Sequence, residues 1–216
     1  MSPTNLTAQL HQFGVVPVVQ ITQLNQVLPL AEVLTQNQLP VIEITLRSDV
    51  ALEAIALVAR EFPTLSLGAG TVLSVDQLQR AIDAGAHFIV TPGTNLDVVS
   101  KAFELGTPII PGAVTPSEVE LLLSHHINLM KFFPAEAAGG PSYIKALSGP
   151  YPNAQFMPTG GVSEANLPSY LALSSVAACG GTWIASSELL KQANFEQIQK
   201  NVASVVALVA DLRKDG

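Results

Sequence analysis

Charge is scarce in this chain. Only 12% of its 216 residues are Asp, Glu, Lys or Arg, against 48% hydrophobic ones, so much of the chain must be buried on both faces. A parallel sheet wrapped by helices suits that composition. Cysteine is nearly absent: Cys179 stands alone, so no intrachain disulfide can form and nothing calls for an oxidising compartment. Basic residues are few, ten against seventeen acids, and they form no cluster; the net charge of −7 disfavours nucleic acid. No apolar run approaches the ~18 residues that suggest a membrane span. The opening MSPTNLTAQLHQFG lacks the basic segment and apolar stretch of a signal peptide. The expectation is a cytoplasmic protein with neither nucleic acid nor membrane as partner. The length allows one full core but not two ordinary domains, so residues 1–216 read as a single domain.

What is present is a repeating alternation. Eight short apolar runs, at residues 15–21, 41–47, 64–70, 87–91, 107–111, 127–133, 154–159 and 175–180, are rich in Val, Ile, Phe or Ala. Each is closed by Gly, Pro, Ser or Thr, as strands are. The stretches between them are long enough for crossover helices, which hairpins would not need. Capping boxes are expected at Ser74-Val75-Asp76-Gln77 and at Thr115-Pro116-Ser117-Glu118, the second with Pro at the first helical position. Ile198, Val202, Val205, Val209 and Leu212 share one helical face near the end. A helix around residues 4–12 is expected to close the bottom. Together these predict an α/β fold, a (β/α)8 TIM barrel with an N-terminal helix. A doubly wound open sheet is the alternative. The barrel is preferred because the strand count reaches eight and no GxGxxG follows the first strand.

Ionisable residues inside the runs are the informative ones. Of the ten Lys and Arg only Arg47 and Lys131 fall there, and of the seventeen acids only Glu43. Arg47 and Lys131 lie in the C-terminal halves of runs two and six, the end at which barrel enzymes keep their sites, with Glu43 near the middle of run two. Side chains alternate along a strand, so Val41, Glu43, Thr45 and Arg47 share a face directed into the barrel. Leu129, Lys131 and Phe133 share another, leaving Met130 and Phe132 for the helices. A structural ion pair, or a lysine snorkelling to the rim, is the plain alternative. Convergence of three charges in an apolar barrel favours function. Only a neutral amine attacks a carbonyl, and apolar surroundings favour that form, so Lys131 is the candidate nucleophile.

With those residues in place the chain resembles the 2-keto-3-deoxy-6-phosphogluconate (KDPG) aldolase family, which includes 4-hydroxy-2-oxoglutarate (KHG) aldolases. The carrying segments are VVPVV from residue 15, VIEITLRS from 41, GAGTVL from 68, FIVTPG from 88, PIIPGAVTPSE from 108, KFFPAEAAGG from 131, PTGGV from 158 and GGTW from 180. They span nearly the whole chain in the family's order. The resemblance implies a class I aldolase with Lys131 as the Schiff-base lysine and Glu43 as general acid/base, acting through a water. It implies that Arg47 and Thr71 hold the keto acid's carboxylate, with Pro92 and Phe133 shaping the pocket. It gives Thr159, Gly160, Gly161, Gly181 and Thr182 to the substrate phosphate. Loops after strands seven and eight of barrels often bind phosphate through backbone N–H groups at a helix N-terminus, where glycine permits close approach. Taken alone, Gly160-Gly161 could equally be a tight turn.

The implied substrates are a small 2-keto acid and a phosphorylated aldehyde, the implied assembly a homotrimer. Thr182 stands where many relatives have Ser. Gln20 ends run one with an amide where an apolar residue is expected. The absence of Arg from that run places the chain on the gluconate rather than the galactonate side. Cys179 reads as a small core residue. His11, His87, His125 and His126 match no metal-ligand spacing, so neither a metal nor another cofactor is expected. Two rivals stay open: KHG cleavage, alone or beside KDPG cleavage in one site, and a phosphate-binding barrel isomerase or epimerase. A non-catalytic phospho-sugar sensor is disfavoured by the intact Lys131, Glu43 and Arg47.

Overall fold

A computed structural model describes residues 3–214. The helix α1 (Pro3–Phe13) leads into β1 (Val15–Val19), then α2 (Val27–Gln36), β2 (Val41–Thr45) and α3 (Ala51–Glu61). Next come β3 (Ser66–Gly70), α4 (Val75–Asp83), β4 (Phe88–Val90), α5 (Leu96–Glu104), β5 (Ile109–Ile110) and α6 (Pro116–Ser124). The chain closes with β6 (Leu129–Phe132), α7 (Gly140–Ser148), β7 (Gln155–Pro158), α8 (Leu167–Leu171), β8 (Cys179–Gly181), α9 (Ser187–Lys191) and α10 (Phe195–Leu212).

Six strands form one curled parallel sheet in the order β5-β4-β3-β2-β1-β8, and β6 pairs with β7 in a second. Isolated parallel bridges link the two: Gly112 with Lys131 on one side, Phe156 with Val176 and Thr159 with Gly180 on the other. Lys131 N–H donates to the Pro111 carbonyl at 2.8 Å, and Ala177 N–H to the Phe156 carbonyl at 2.9 Å.

Burial explains the strands. Every residue of β1 to β6 is buried, as a sheet covered on both faces requires. Phe132 faces outward as its parity requires, stacking on Tyr143 of α7 at 5.8 Å and meeting Phe156 edge-on at 6.2 Å. On α10, Ile198, Val202, Val205 and Val209 are buried, and the helix packs on α2; Leu212 is half-buried. The Thr115 box on α6 is complete: Thr115 Oγ1 accepts from Glu118 N–H, and the Glu118 carboxylate accepts from Thr115 N–H at 2.8 Å. At Ser74 only half forms, because Gln77 reaches back one residue further and accepts from Leu73 N–H at 2.7 Å.

The strands are shorter than the apolar runs. Strand β2 stops at Thr45 because Arg47 N–H turns back to the Thr45 carbonyl at 2.8 Å, which puts Arg47 in the following loop rather than in the strand. Phe133 lies one residue beyond β6. At the other end of the chain β8 begins only at Cys179; within 175–178 the Ala177 N–H binds the neighbouring strand's Phe156 instead.

Candidate active site

Strand β2 delivers Glu43 and strand β6 delivers Lys131 to the same point. Lys131 Nζ donates to Glu43 Oε1 at 3.0 Å in a pair whose side chains are 6% and 0% exposed. Glu43 Oε2 is buried without a hydrogen-bond partner among the described residues. An unsatisfied buried carboxylate oxygen costs on the order of 1–3 kcal/mol, so the arrangement is poised to accept a hydroxyl or water. The Phe133 ring lies under the ammonium, 5.7 Å from its centroid.

Room for that pair is made by glycine. In β3, a Cβ on Gly70 would stand 2.2 Å from Glu43 Oε1, and one on Gly68 would stand 2.3 Å from the Phe88 ring. Glycine inside a strand commonly marks such a close approach. The next residue, Thr71, has φ +58°, a left-handed backbone that a β-branched residue seldom adopts. Strain of this kind clusters at sites that bind or react. Thr71 thus follows directly on Gly70, the residue packed against the Glu43 carboxylate, just past the end of β3. Pro92 is half-buried at the end of β4; its carbonyl packs against Gly112, the bridge partner of Lys131.

Arg47 is exposed at the mouth, not inside a strand. Its Nε donates to Thr45 Oγ1 at 3.2 Å, while Thr45 Oγ1 donates to the Val19 carbonyl at 2.9 Å. Gln20, unexplained by sequence, places its amide on the Arg47 carbonyl at 2.9 Å.

The glycine pair after β7 adjoins Phe133. Gly160 and Gly161 have φ +98° and +82°. A Cβ on Gly160 would meet the Phe133 ring at 3.3 Å, and one on Gly161 would meet Glu136 Cγ at 2.5 Å. The loop is held from both sides: Glu136 N–H donates to the Gly160 carbonyl at 3.0 Å, and Asn166 Nδ2 to the Gly161 carbonyl at 3.1 Å. Among the described residues the Gly161 and Thr182 N–H groups have no hydrogen-bond acceptor, as an anion cradle requires.

Neither loop opens directly onto a helix, contrary to expectation. Helix α8 begins at Leu167 and α9 at Ser187, with Ser186 capping the latter through Leu189 N–H. Consecutive positive φ angles at Gly160 and Gly161 cannot be helical, so the free donors are loop amides. Thr159 is buried with its hydroxyl where a Cβ on Gly180 would fall, whereas Gly161 and Thr182 are exposed. Gly181 is buried under the Trp183 ring, against which its Cβ would stand at 2.6 Å. Sequence reasoning missed Gly70, Thr45 and Glu136. Glu136 accepts a short bond from the buried Tyr170 hydroxyl, and burial, then that carboxylate, push the tyrosine well above its ordinary range.

The histidines gather elsewhere. His11 bonds Gln155 at the start of β7, and His87 and His126 precede β4 and β6. Among the described residues no three His, Cys, Asp or Glu side chains converge as a cation site. Burial pushes the Cys179 thiol far up. A cavity of about 660 Å³ opens at this end of the strands, between α1 and the starts of β5, β6 and β7, remote from Lys131.

The chain is similar to known proteins over most of its length. The sequence model "KDPG and KHG aldolase" matches residues 6–201. A 2-dehydro-3-deoxy-phosphogluconate aldolase of Haemophilus influenzae is 41% identical over 93% of this chain and 95% of its own length. A KHG/KDPG aldolase of Escherichia coli K12 is 40% identical over 86% of this chain and 87% of its own. The solved KDPG aldolase of Legionella pneumophila, with pyruvate captured at low pH as a covalent carbinolamine, superposes with a TM-score of 0.89. It is 39% identical, the match covering 92% of this chain and 97% of that one. This chain belongs to the KDPG and KHG aldolase family.

Proposed function

We propose that the chain is a metal-independent class I aldolase that cleaves KDPG to pyruvate and glyceraldehyde 3-phosphate. The buried Lys131–Glu43 pair is the observation that carries this reading. Proton transfer along their 3.0 Å bond frees the amine, which adds to C2 of the keto acid. Glu43 gives that proton to the carbinolamine hydroxyl, which leaves as water, so that an iminium and an ionised Glu43 remain. Glu43, directly or through a water, takes the C4 hydroxyl proton; the C3–C4 bond breaks, its electrons pass into the iminium, and the aldehyde departs. Protonation of the enamine at C3 and addition of water then return pyruvate and the free lysine. The covalent cation serves as electron sink. Arg47 and Thr71 hold the carboxylate, Pro92 and Phe133 flank the pyruvyl carbons, and Thr159, Gly160, Gly161, Gly181 and Thr182 face the phosphate. The exposed amides of Gly161 and Thr182 support the last assignment best.

A second reading is KHG cleavage in the same site, favoured by the Escherichia coli relative named for both activities. Phosphate dependence of kcat/KM separates the two. The setting we infer is one closed (β/α)8 domain, the bridges between the two sheets supporting closure. By family resemblance it is a homotrimer of the cytoplasmic Entner–Doudoroff pathway. Among the described residues no helix is long and apolar enough to cross a membrane.

The test is reductive trapping. Pyruvate and borohydride should leave a reduced adduct on the peptide bearing Lys131, and Lys131→Ala should abolish adduct and turnover. An adduct on Lys101 or Lys145 would overturn the assignment. Activity should survive exhaustive EDTA treatment; loss on chelation with recovery on adding Zn²⁺ would move the chain to a metal-dependent mechanism.

A further inference from the structure

The loop that carries Arg47 is stitched to the end of β1 by three side chains. Thr45 Oγ1 donates to the Val19 carbonyl, Ser48 Oγ makes a short bond to the Ile21 carbonyl, and Gln20 Nε2 donates to the Arg47 carbonyl at 2.9 Å. Of these, Gln20 alone bonds the backbone of the residue bearing the guanidinium. Its location fits the task. Val18 is in register with Glu43, so Gln20, two residues on, continues the face that carries the carboxylate and reaches the mouth of the site.

Arg47 needs such a hold. No ion pair among the described residues includes it, and its one side-chain bond is the 3.2 Å contact from Nε to Thr45 Oγ1. A long, exposed side chain with a single lateral contact is aimed chiefly by its own backbone. The backbone beside it is a tight turn, Arg47 N–H to the Thr45 carbonyl, and the Gln20 amide takes up the Arg47 carbonyl next to it.

We propose that Gln20 is a positioning residue for the carboxylate clamp: it fixes the Arg47 backbone so that the guanidinium meets the 2-keto acid without reorganisation. This rests on the reading that Arg47 binds the substrate carboxylate. The Gln20 amide bonds the Arg47 carbonyl and neither Glu43 nor Lys131, so its effect belongs in KM and not in kcat.

The experiment is a double-mutant cycle with Gln20→Met, which keeps length and removes the donor, and Arg47→Met, read on the pure full-length protein. Two quantities are followed: KM for KDPG, and the pyruvate concentration that half-saturates borohydride trapping. Loss of one neutral hydrogen bond predicts that Gln20→Met raises both by roughly two- to tenfold, with kcat within about twofold of the parent. Inhibition by inorganic phosphate, which reports the other end of the site, stays unchanged. In the Arg47→Met background, Gln20→Met adds nothing, because the guanidinium it aims is gone. An equal rise in both backgrounds, a fall in kcat, or no rise in the native background overturns the positioning role while the Arg47 reading stands. If Arg47→Met itself leaves KM and half-saturation unchanged, the clamp reading fails and takes the Gln20 proposal with it. Both residues are at the surface or half-exposed, and circular dichroism confirms that each variant is folded before it is scored.

Discussion

Lys131 Nζ and Glu43 Oε1 lie 3.0 Å apart although 88 residues separate them in the chain. Removing one member of a buried pair leaves the other charge without a partner and costs roughly 3–5 kcal/mol. Lys131→Met should therefore lower stability by about that amount, and adding Glu43→Gln should recover most of it, measured by urea denaturation. Glu43→Gln alone keeps shape but removes the base, so kcat should fall by ~10²–10⁴. A Glu43→Gln variant with nearly native turnover would make the pair structural.

Gly70 leaves the space that the Glu43 carboxylate occupies. Gly70→Ala puts a Cβ 2.2 Å from Glu43 Oε1, and Glu43 must move. A displacement of this size predicts a loss of kcat of about 10²-fold. Gly149→Ala, whose Cβ would meet only the Ala146 carbonyl at an ordinary 3.5 Å, is the control and should be silent in kcat. Parallel behaviour of the two variants would remove the steric argument.

The glycine pair after β7 should separate the two ends of the substrate. Gly161→Ala must abandon φ +82° or push its Cβ into Glu136. KM for KDPG should rise, while the pyruvate concentration for half-maximal trapping stays put, since pyruvate has no phosphate. Equal shifts in both would show that the loop supports the whole site and not the phosphate alone.

Acid stability should depend on the α6 cap. Burial alone would push Glu118 up, but hydrogen bonds from the N–H groups of Thr115 and Val114 and the Thr115 hydroxyl outweigh it, and the group is lowered. A carboxylate depressed in the folded state stabilises fully above its unfolded value, near 4.5, and loses that contribution as pH falls through the folded one. The Tm gap between the native protein and Glu118→Gln should be open at pH 7 and close toward pH 3. Thr115→Ala should cost about 0.5–2 kcal/mol at neutral pH. A gap that widens on acidification contradicts the sign.

Much of this was legible in the sequence because an ionisable side chain inside a short apolar run has few physical reasons to be there. Glu43 and Lys131 stood out on that ground, and the alternation rule gave their common direction. Arg47 was legible as a residue but not as a position, since the turn that ends β2 is closed by backbone groups that any side chain would leave unchanged. Gln20 was opaque for a related reason: its partner is a carbonyl 27 residues away, and a carbonyl has no sequence signature. The boxes divide the same way. Thr115 and Glu118 find each other across one helical turn, whereas Gln77 had two backbone donors within reach and took the earlier one. The glycines around the phosphate loop announced a special backbone, but not that it would stand apart from the helices that follow.

The two members of the central pair belong to different sheets: Glu43 to the six-strand sheet and Lys131 to the two-strand β6–β7 ribbon. The ribbon is tied in by bridges and not by continuous ladders. Neither sheet by itself therefore contains a working chemical unit, and turnover acts as a gauge of tertiary closure. Loosening of the ribbon by a few ångströms silences the enzyme while every helix and strand is still intact. In a urea titration, activity should vanish ahead of far-ultraviolet ellipticity, and a chain severed between α6 and β6 should regain activity only when its two pieces reassociate.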